Sequence, residues 1–463
     1  MKTTTLFKSA LFAALLALAS AQVTAQELPE VFGKTVKSVN PANGLLRCAT
    51  PEYEAYLNEQ DPKRETTEQF EQWLSGKMQQ KQAQRSTPVT GVITIPVVVH
   101  VIHNGDAVGS SENISDAQVI SQITVLNQDY RRMADTPGYN EFAVGADMEI
   151  QFVLAQTDPD GNLTTGIDRV QTTKASWANE TLIDSELKPT TSWDPSKYFN
   201  IWVVNFGNSS VLLGYAQFPA GSTLGGLGGA SASASTDGVV IGYPYFGSAN
   251  LAPNGNYGGS GNPYRYGRTA THEVGHWLGL RHISGDNASC SVNAIDSSND
   301  YCPDTPATND YNYECGIVDS CPLAPGNDMI ENYMDYTYDS CMNVFTQNQK
   351  NRMRTVMQNA INREALLTST VANAPTAGTA QFSVLNGLSV YPNPTQGILT
   401  ISNNAVTLPD SYTIYNSLGQ TVYSTKVTTA NNLTINTAAY SNGVYFIKVN
   451  AGNQSRTLKF IKN

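Results

Sequence analysis

Apolar residues fall along the chain in three textures. Residues 26 to 90 are mostly polar, rich in Gln, Glu and Lys, and only TEQFEQWLSGKMQQKQAQ shows a period: Phe70, Trp73 and Leu74 recur at steps of three and four, which predicts a helix in an appendage-like segment. From GVITIPVVVHVIH onward, β-branched runs predict buried strands, with further ones at MEIQFVLAQ (148–156), KYFNIWVVNF (197–206) and DGVVIGY (237–243). After the first of them, SDAQVISQITVLNQDYRR predicts a helix, since Ser115 and Gln118 suit a capping box while Val119, Ile123 and Leu126 share one face. The third texture covers residues 384–463. LSVYPNPTQGILTI, SYTIYNSLGQTVYS and GVYFIKVNAGNQSRTLKFIKN alternate apolar with polar residues between Gly, Asn and Pro turns, which predicts a small β-sandwich. Residues 366–383 lack charge and bulk through TSTVANAPTAGTAQ and read as a linker. GSTLGGLGGASASAS has neither period and fits a surface loop or the rim of a cleft.

Length and charge narrow the picture. A chain of 463 residues exceeds what one core serves, in keeping with several folded units. With 28 basic against 39 acidic residues and no Lys/Arg block, the chain would repel nucleic acid and anionic lipid, so no nucleic-acid partner is expected. Lys2 and Lys8, the apolar run LFAALLALASA and small residues up to Ala21 or Ala25 read as a secretory signal over residues 1–25. No later stretch is apolar for the length of a membrane span, so no transmembrane segment is expected. Export permits disulfides; Cys290, Cys302, Cys315, Cys321 and Cys341 cluster, while Cys48 stands alone.

The chemistry sits in THEVGHWLGLRH, residues 271–282, which holds three of the five histidines. His272 and His276 are one helical turn apart and can reach a single ion. Glu273 then points at a metal-bound water as a general base. A catalytic zinc takes three protein ligands and keeps one position open for water. Gly279 can adopt positive φ, end the helix and return His282 to the same ion as the third ligand.

HEVGHWLGLRH matches the HExxHxxGxxH signature of the metzincin metalloproteases. NYMDY supplies their methionine turn, with Met334 as a floor under the imidazoles and Tyr336 resembling the tyrosine that stabilises the oxyanion in several metzincin families. Within that clan, GYAQFP, DGVVIGY, GRTATHEVGHWLGLRH, DTPAT and NYMDYTYDSCMNVFTQNQKNRM resemble the pappalysin (cytophagalysin, ulilysin-like) family over about residues 92–365. The resemblance implies an α+β metzincin-type catalytic domain over residues 91–365. Such a domain has a twisted mixed sheet and two long helices above the cleft, an irregular lower subdomain after Gly279, and an edge strand, expected in DGVVIGY, that pairs with extended substrate.

Family spacing further implies disulfides Cys290–Cys321 and Cys315–Cys341; Cys302 is left as a free buried thiol or as a member of a different pairing. DYCPDTPAT resembles the family's calcium loop, which makes Asp300 and Thr305 candidate ligands, with Asp304 a further candidate. RCAT, residues 47–50, resembles the RCGT of pro-pappalysins, where a cysteine fills the zinc's open position until the propeptide, here residues 26–90, is removed. Ala49 replaces the usual Gly. Removal is expected within residues 80–95, with Arg85 an attractive point because ulilysin-like members favour arginine after the cut bond. That preference goes with an acidic residue just before the last cysteine, where Ser340 stands here beside Asp339.

VYPNPTQGILTI, YNSLGQTVYS, GVYFIKV and KFIKN resemble a type IX secretion C-terminal sorting domain, which implies outer-membrane secretion machinery as a partner and an extracellular or cell-surface destination. A carbohydrate-binding sandwich would show exposed tryptophans, and all five precede this tail. The expectation is a secreted zinc endopeptidase made as a zymogen and acting on protein or peptide substrates. A non-catalytic protein clamped by zinc and a zinc amidase or esterase are the alternatives.

Overall fold

In the computed structural model, which describes residues 28–84, 91–207, 210–221, 234–286, 289–290, 300–375, 388–402, 408–452 and 454–463, the β-branched runs become strands of one sheet. The signal segment, Arg85 and most of the Gly/Ser/Ala stretch lie outside the described residues. The chain divides into two compact units, one of Met1–Ala155 with Thr165–Ala372 and one of Gln156–Thr164 with Asn373–Asn463. Leu366 and Val371 are buried in the first unit, so ordered chain continues past residue 365 into the stretch expected as linker.

The first unit opens with a short hairpin, β1 (Glu30–Val31) and β2 (Lys34–Thr35), and two helices, α1 (Thr50–Gln60) and α2 (Thr67–Gln84). The sheet follows: β3 (Ile93–His103), β4 (Ile150–Leu154), β5 (Ile167–Gln171), β6 (Phe199–Val204), β7 (Gly214–Ala216) and β8 (Val239–Gly242), ordered β4-β3-β6-β8-β7 with β5 also on β3. Pairing is parallel except for β7, which runs antiparallel to β8. This corrects the expected edge. DGVVIGY is buried on both faces between β6 and β7, and the three-residue strand from GYAQFP forms the rim.

Alternate residues of the sheet feed two cores. Val97, Val99, Val101, Ile201, Val203, Val239 and Ile241 meet helix α3 (Asp116–Tyr130) and helix α4 (Arg268–Trp277) through Val119, Ile123, Leu126, Ala270 and Val274. On the opposite face Ile102, Trp202, Val204, Val240 and Tyr215 pack with Val31, Phe32, Val36, Leu46, Ala49 and Tyr53 from the amino-terminal segment. That segment is therefore no appendage: it completes a core, and Phe70, Trp73 and Leu74 of α2 pack on Phe218, Val356 and Ala360. Ser115 does cap α3 by accepting from Gln118 N (3.2 Å), but the Gln118 amide donates to the carbonyls of Phe246 (2.8 Å) and Asn256 (3.1 Å) and so ties down a loop.

The second unit carries β9 (Ser389–Tyr391), β10 (Ile398–Ser402), β11 (Ser411–Asn416), β12 (Thr421–Lys426), β13 (Thr434–Asn436), β14 (Gly443–Ala451) and β15 (Gln454–Lys462). They form antiparallel sheets ordered β13-β10-β9 and β12-β11-β14-β15 around Leu399, Ile401, Tyr412, Ile414, Ile447, Val449 and Phe460. Among the described residues no helix is long and apolar enough to cross a membrane.

Candidate metal centre

Helix α4 starts at Gly267 (φ 89°) and ends where Gly279 (φ 88°) turns the chain in the left-handed region. A β-carbon at Gly279 would also lie 2.8 Å from Val356 Cγ2, so glycine is required there twice over. The turn brings His282 to His272 and His276, with Nε2 separations of 3.1 Å (272–276), 3.0 Å (276–282) and 3.2 Å (272–282). Each Nδ1 is engaged elsewhere: His272 with Tyr333 O (2.6 Å), His276 with Leu280 O (2.8 Å) and His282 with Asp286 Oδ1 (2.7 Å). Two carbonyls and one carboxylate as acceptors favour the proton on Nδ1, which leaves Nε2 lone pairs aimed at one point. Burial first, and the neighbouring imidazoles next, push His272 and His276 well below the usual histidine range. Three buried acceptors facing one another without a proton repel unless a cation lies between them. Zinc–nitrogen bonds of about 2.0–2.1 Å in a tetrahedron place such nitrogens roughly 3.3 Å apart, so the donor set fits that ion.

Met334 packs against Gly275 of helix α4. A β-carbon on Gly275, inside the HExxH helix, would come 2.4 Å from Met334 Sδ, which explains a helical glycine that pattern reading passed over. Tyr336 is buried, 4.9 Å from the His282 ring, stacked on Tyr311 at 4.2 Å, and its hydroxyl donates to Cys48 O (3.3 Å). Tyr311 also donates to Asp286 Oδ1 (2.7 Å), so one carboxylate steadies a metal-facing imidazole and the ring behind Tyr336. Asp286 was missed; its one signal is a place four residues after His282.

The amino-terminal segment crosses this site. Leu46 bridges Leu212 in parallel, Ala49 N donates to Gly214 O (3.1 Å), and Thr50 Oγ1 accepts from Ala216 N (2.9 Å), so the segment lies along the rim strand β7. Cys48 Sγ joins the three histidines in a group whose candidate ligand atoms all lie within 4.8 Å of one another. Thr50 Oγ1 donates to Glu273 Oε2 (2.9 Å), and Cys48 Sγ lies 3.4 Å from the same oxygen. Glu273 is fully buried, its other oxygen has no partner among the described residues, and burial pushes its carboxyl up to about 8. Burial, and then the Glu273 carboxylate, likewise push the Cys48 thiol up; a divalent cation would act in the opposite sense. On the other side of Cys48, both terminal nitrogens of Arg47 donate to Asp339 Oδ1 (3.2 Å each) in a fully buried pair. Asp339 Oδ2 accepts from Tyr266 N (2.9 Å) and Arg268 N (3.2 Å), while Ser340 is exposed.

Disulfides join Cys290 to Cys321 and Cys315 to Cys341, and Cys302 is free and buried. Thr305 Oγ1 donates to Asp300 Oδ1 (2.9 Å), whereas Asp300 Oδ2 is buried without a partner among the described residues and burial pushes this carboxyl up to about 7. Asp304 turns away from them. It accepts from Thr346 Oγ1 and Asn348 N (2.8 Å each) at the start of helix α5 (Gln347–Asn359).

Residues 182–358 match the family described as pregnancy-associated plasma protein-A, and residues 389–463 match the secretion system C-terminal sorting domain. An extracellular metalloprotease of Pyricularia oryzae is 33% identical over 268 residues, 56% of this chain and 74% of the relative. One from Colletotrichum graminicola is 30% identical over 337 residues, 72% of this chain and 96% of that protein. Mature mirolysin of Tannerella forsythia, solved with a cleaved peptide, is 41% identical and superposes with a TM-score of 0.50 over 62% of this chain and 99% of that one. A promirolysin variant from the same organism is 39% identical, with a TM-score of 0.51 over 66% of this chain and 93% of that one.

Proposed function

Because the chain belongs to the pappalysin family of metalloproteases and is a secreted metalloendopeptidase made as a zymogen, we propose that its metal is zinc, held by His272, His276 and His282. The observation that carries this assignment is the convergence of three Nε2 atoms in a buried site. Zinc in this place supplies Lewis acidity toward water and a peptide carbonyl. Glu273 is the general base: it takes the water proton at its carboxylate and passes it to the departing amine. Tyr336 donates its hydroxyl to the carbonyl oxygen as negative charge builds there, a bond it spends on Cys48 O in the zymogen. Met334 supports the histidines from below.

Latency comes from three contacts of RCAT. Cys48 stands where solvent would enter, Thr50 occupies the Glu273 oxygen that must accept a proton, and Arg47 fills the Asp339 pocket. Asp339 thus supplies the carboxylate that Ser340 lacks, and we assign it to binding arginine after the cut bond. Calcium is assigned to Asp300 and Thr305, supported by the orphaned Asp300 oxygen. The propeptide ends, on this reading, between residues 80 and 95, and the tail is handed to the outer-membrane secretion machinery.

The test is hydrolysis of a peptide library by the activated, zinc-loaded protein. Cleavage is expected before arginine, and Glu273→Ala should lose about 10³-fold or more in kcat/KM. Full turnover in that variant would remove Glu273 from the chemistry, and hydrolysis of esters alone would favour the esterase alternative.

A further inference from the structure

Resting on the protease reading above, we infer that Arg281 and Arg352 form a subsite for acidic side chains on the amino-terminal side of the cut bond. Arg281 sits on the turn between Gly279 and His282, its guanidinium stacked on Phe218 at 3.7 Å. Its Nη1 donates to Glu54 Oε2 (2.6 Å) and its Nε to Glu71 Oε1 (3.2 Å). Arg352, on α5, grips Glu71 with both terminal nitrogens (2.8 and 2.9 Å) and anchors itself on Gly279 O (2.9 Å). The two guanidiniums come from different elements of the protease body and converge on one carboxylate.

Both acidic partners belong to the propeptide, Glu54 to α1 and Glu71 to α2. Among the described residues no carboxylate of the protease body hydrogen-bonds either guanidinium. Asp300, close enough for Arg352 to favour its charged form, directs one oxygen to Cys302 N and Thr305 Oγ1. Removal of the propeptide therefore leaves two positioned guanidiniums beside the third histidine, in the fork geometry that grips a carboxylate. In the full chain their side chains are only 11% and 3% exposed.

The propeptide crosses the metal centre with Arg47 on one side of Cys48 and Glu54 on the other. It is paired with Asp339 on the first side and with the two arginines on the second. It occupies both as a stand-in of matching charge. With Asp339 receiving the residue after the cut bond, the arginine pair faces the residues before it, so the cleft reads an acidic-then-basic sequence.

A peptide series of one sequence, arginine after the cut bond and Glu, Gln or Lys placed in turn at each preceding position, tests this with the activated enzyme. At one of those positions Glu should raise kcat/KM about tenfold over Gln and Lys should lower it, with the gap shrinking as salt rises. Arg281→Gln and Arg352→Gln should each bring the Glu-to-Gln ratio close to unity. Should either variant misfold, the salt-dependent ratio of the unsubstituted enzyme still decides the matter. Equal rates for Glu and Gln at every position would overturn the subsite and leave the protease intact, whereas no cleavage of any peptide would take down the protease reading as well.

Discussion

The sheet of the protease unit and the sheets of the carboxy-terminal unit are made of similar residues, yet they are buried in different ways. Strands β6 and β8 are buried at every position, while β14 alternates core-facing Phe446 neighbours such as Tyr445 and Ile447 with outward residues. A sheet covered on both faces reads as a continuous apolar run; one covered on a single face reads with a period of two. The contrast shows which unit depends on distant chain. The sandwich covers itself with adjacent hairpins, whereas the protease sheet is covered by α3 and α4 on one side and the amino-terminal segment on the other.

The strongest way to break the comparison is to place a charge on each kind of strand. Ile201→Asp on β6 should cost about 4 kcal/mol or more and abolish folding of the protease unit, because the carboxylate has no wet face to turn to. Phe446→Asp on β14, at a position 37% exposed, should shift stability by no more than about 1 kcal/mol. Thermal melts followed by circular dichroism read both, and equal losses would void the contrast. A smaller effect sharpens the propeptide's part: Cys48→Ala should raise peptide hydrolysis by the uncleaved zymogen about tenfold, measured before any processing. An unchanged latent activity would remove the thiol from the inhibitory mechanism. A last measurement concerns calcium. Chelating calcium with zinc retained should lower the stability of the protease unit by about 2–3 kcal/mol if the ion is present at a hundred times its Kd, and superimposable melting curves would withdraw Asp300 and Thr305 as ligands.

Much of the metal centre was legible because its parts are local. His272, Glu273, His276, Gly279 and His282 lie within one helix and its turn, and Cys48 announced itself by isolation. The strands β3, β4, β6 and β8 were legible from β-branched runs. What escaped depends on partners far along the chain: β7 is only Gly214–Ala216 and exists by pairing with β8, α1 carries no apolar period, and Asp286 looks like any acidic turn residue until Tyr311 meets it. The rim strand was misplaced for the same reason, since DGVVIGY has the stronger β-branched run and a strand buried on both faces carries no mark of its neighbours.

Val31, Phe32, Val36, Leu46 and Tyr53 of the amino-terminal segment fill one side of the protease sheet. The proposed maturation would therefore do more than open a door: it would strip these side chains from that flank. A protease released in that way would present the apolar side chains Ile102, Trp202, Val204, Val240 and Tyr215, a foothold for other molecules.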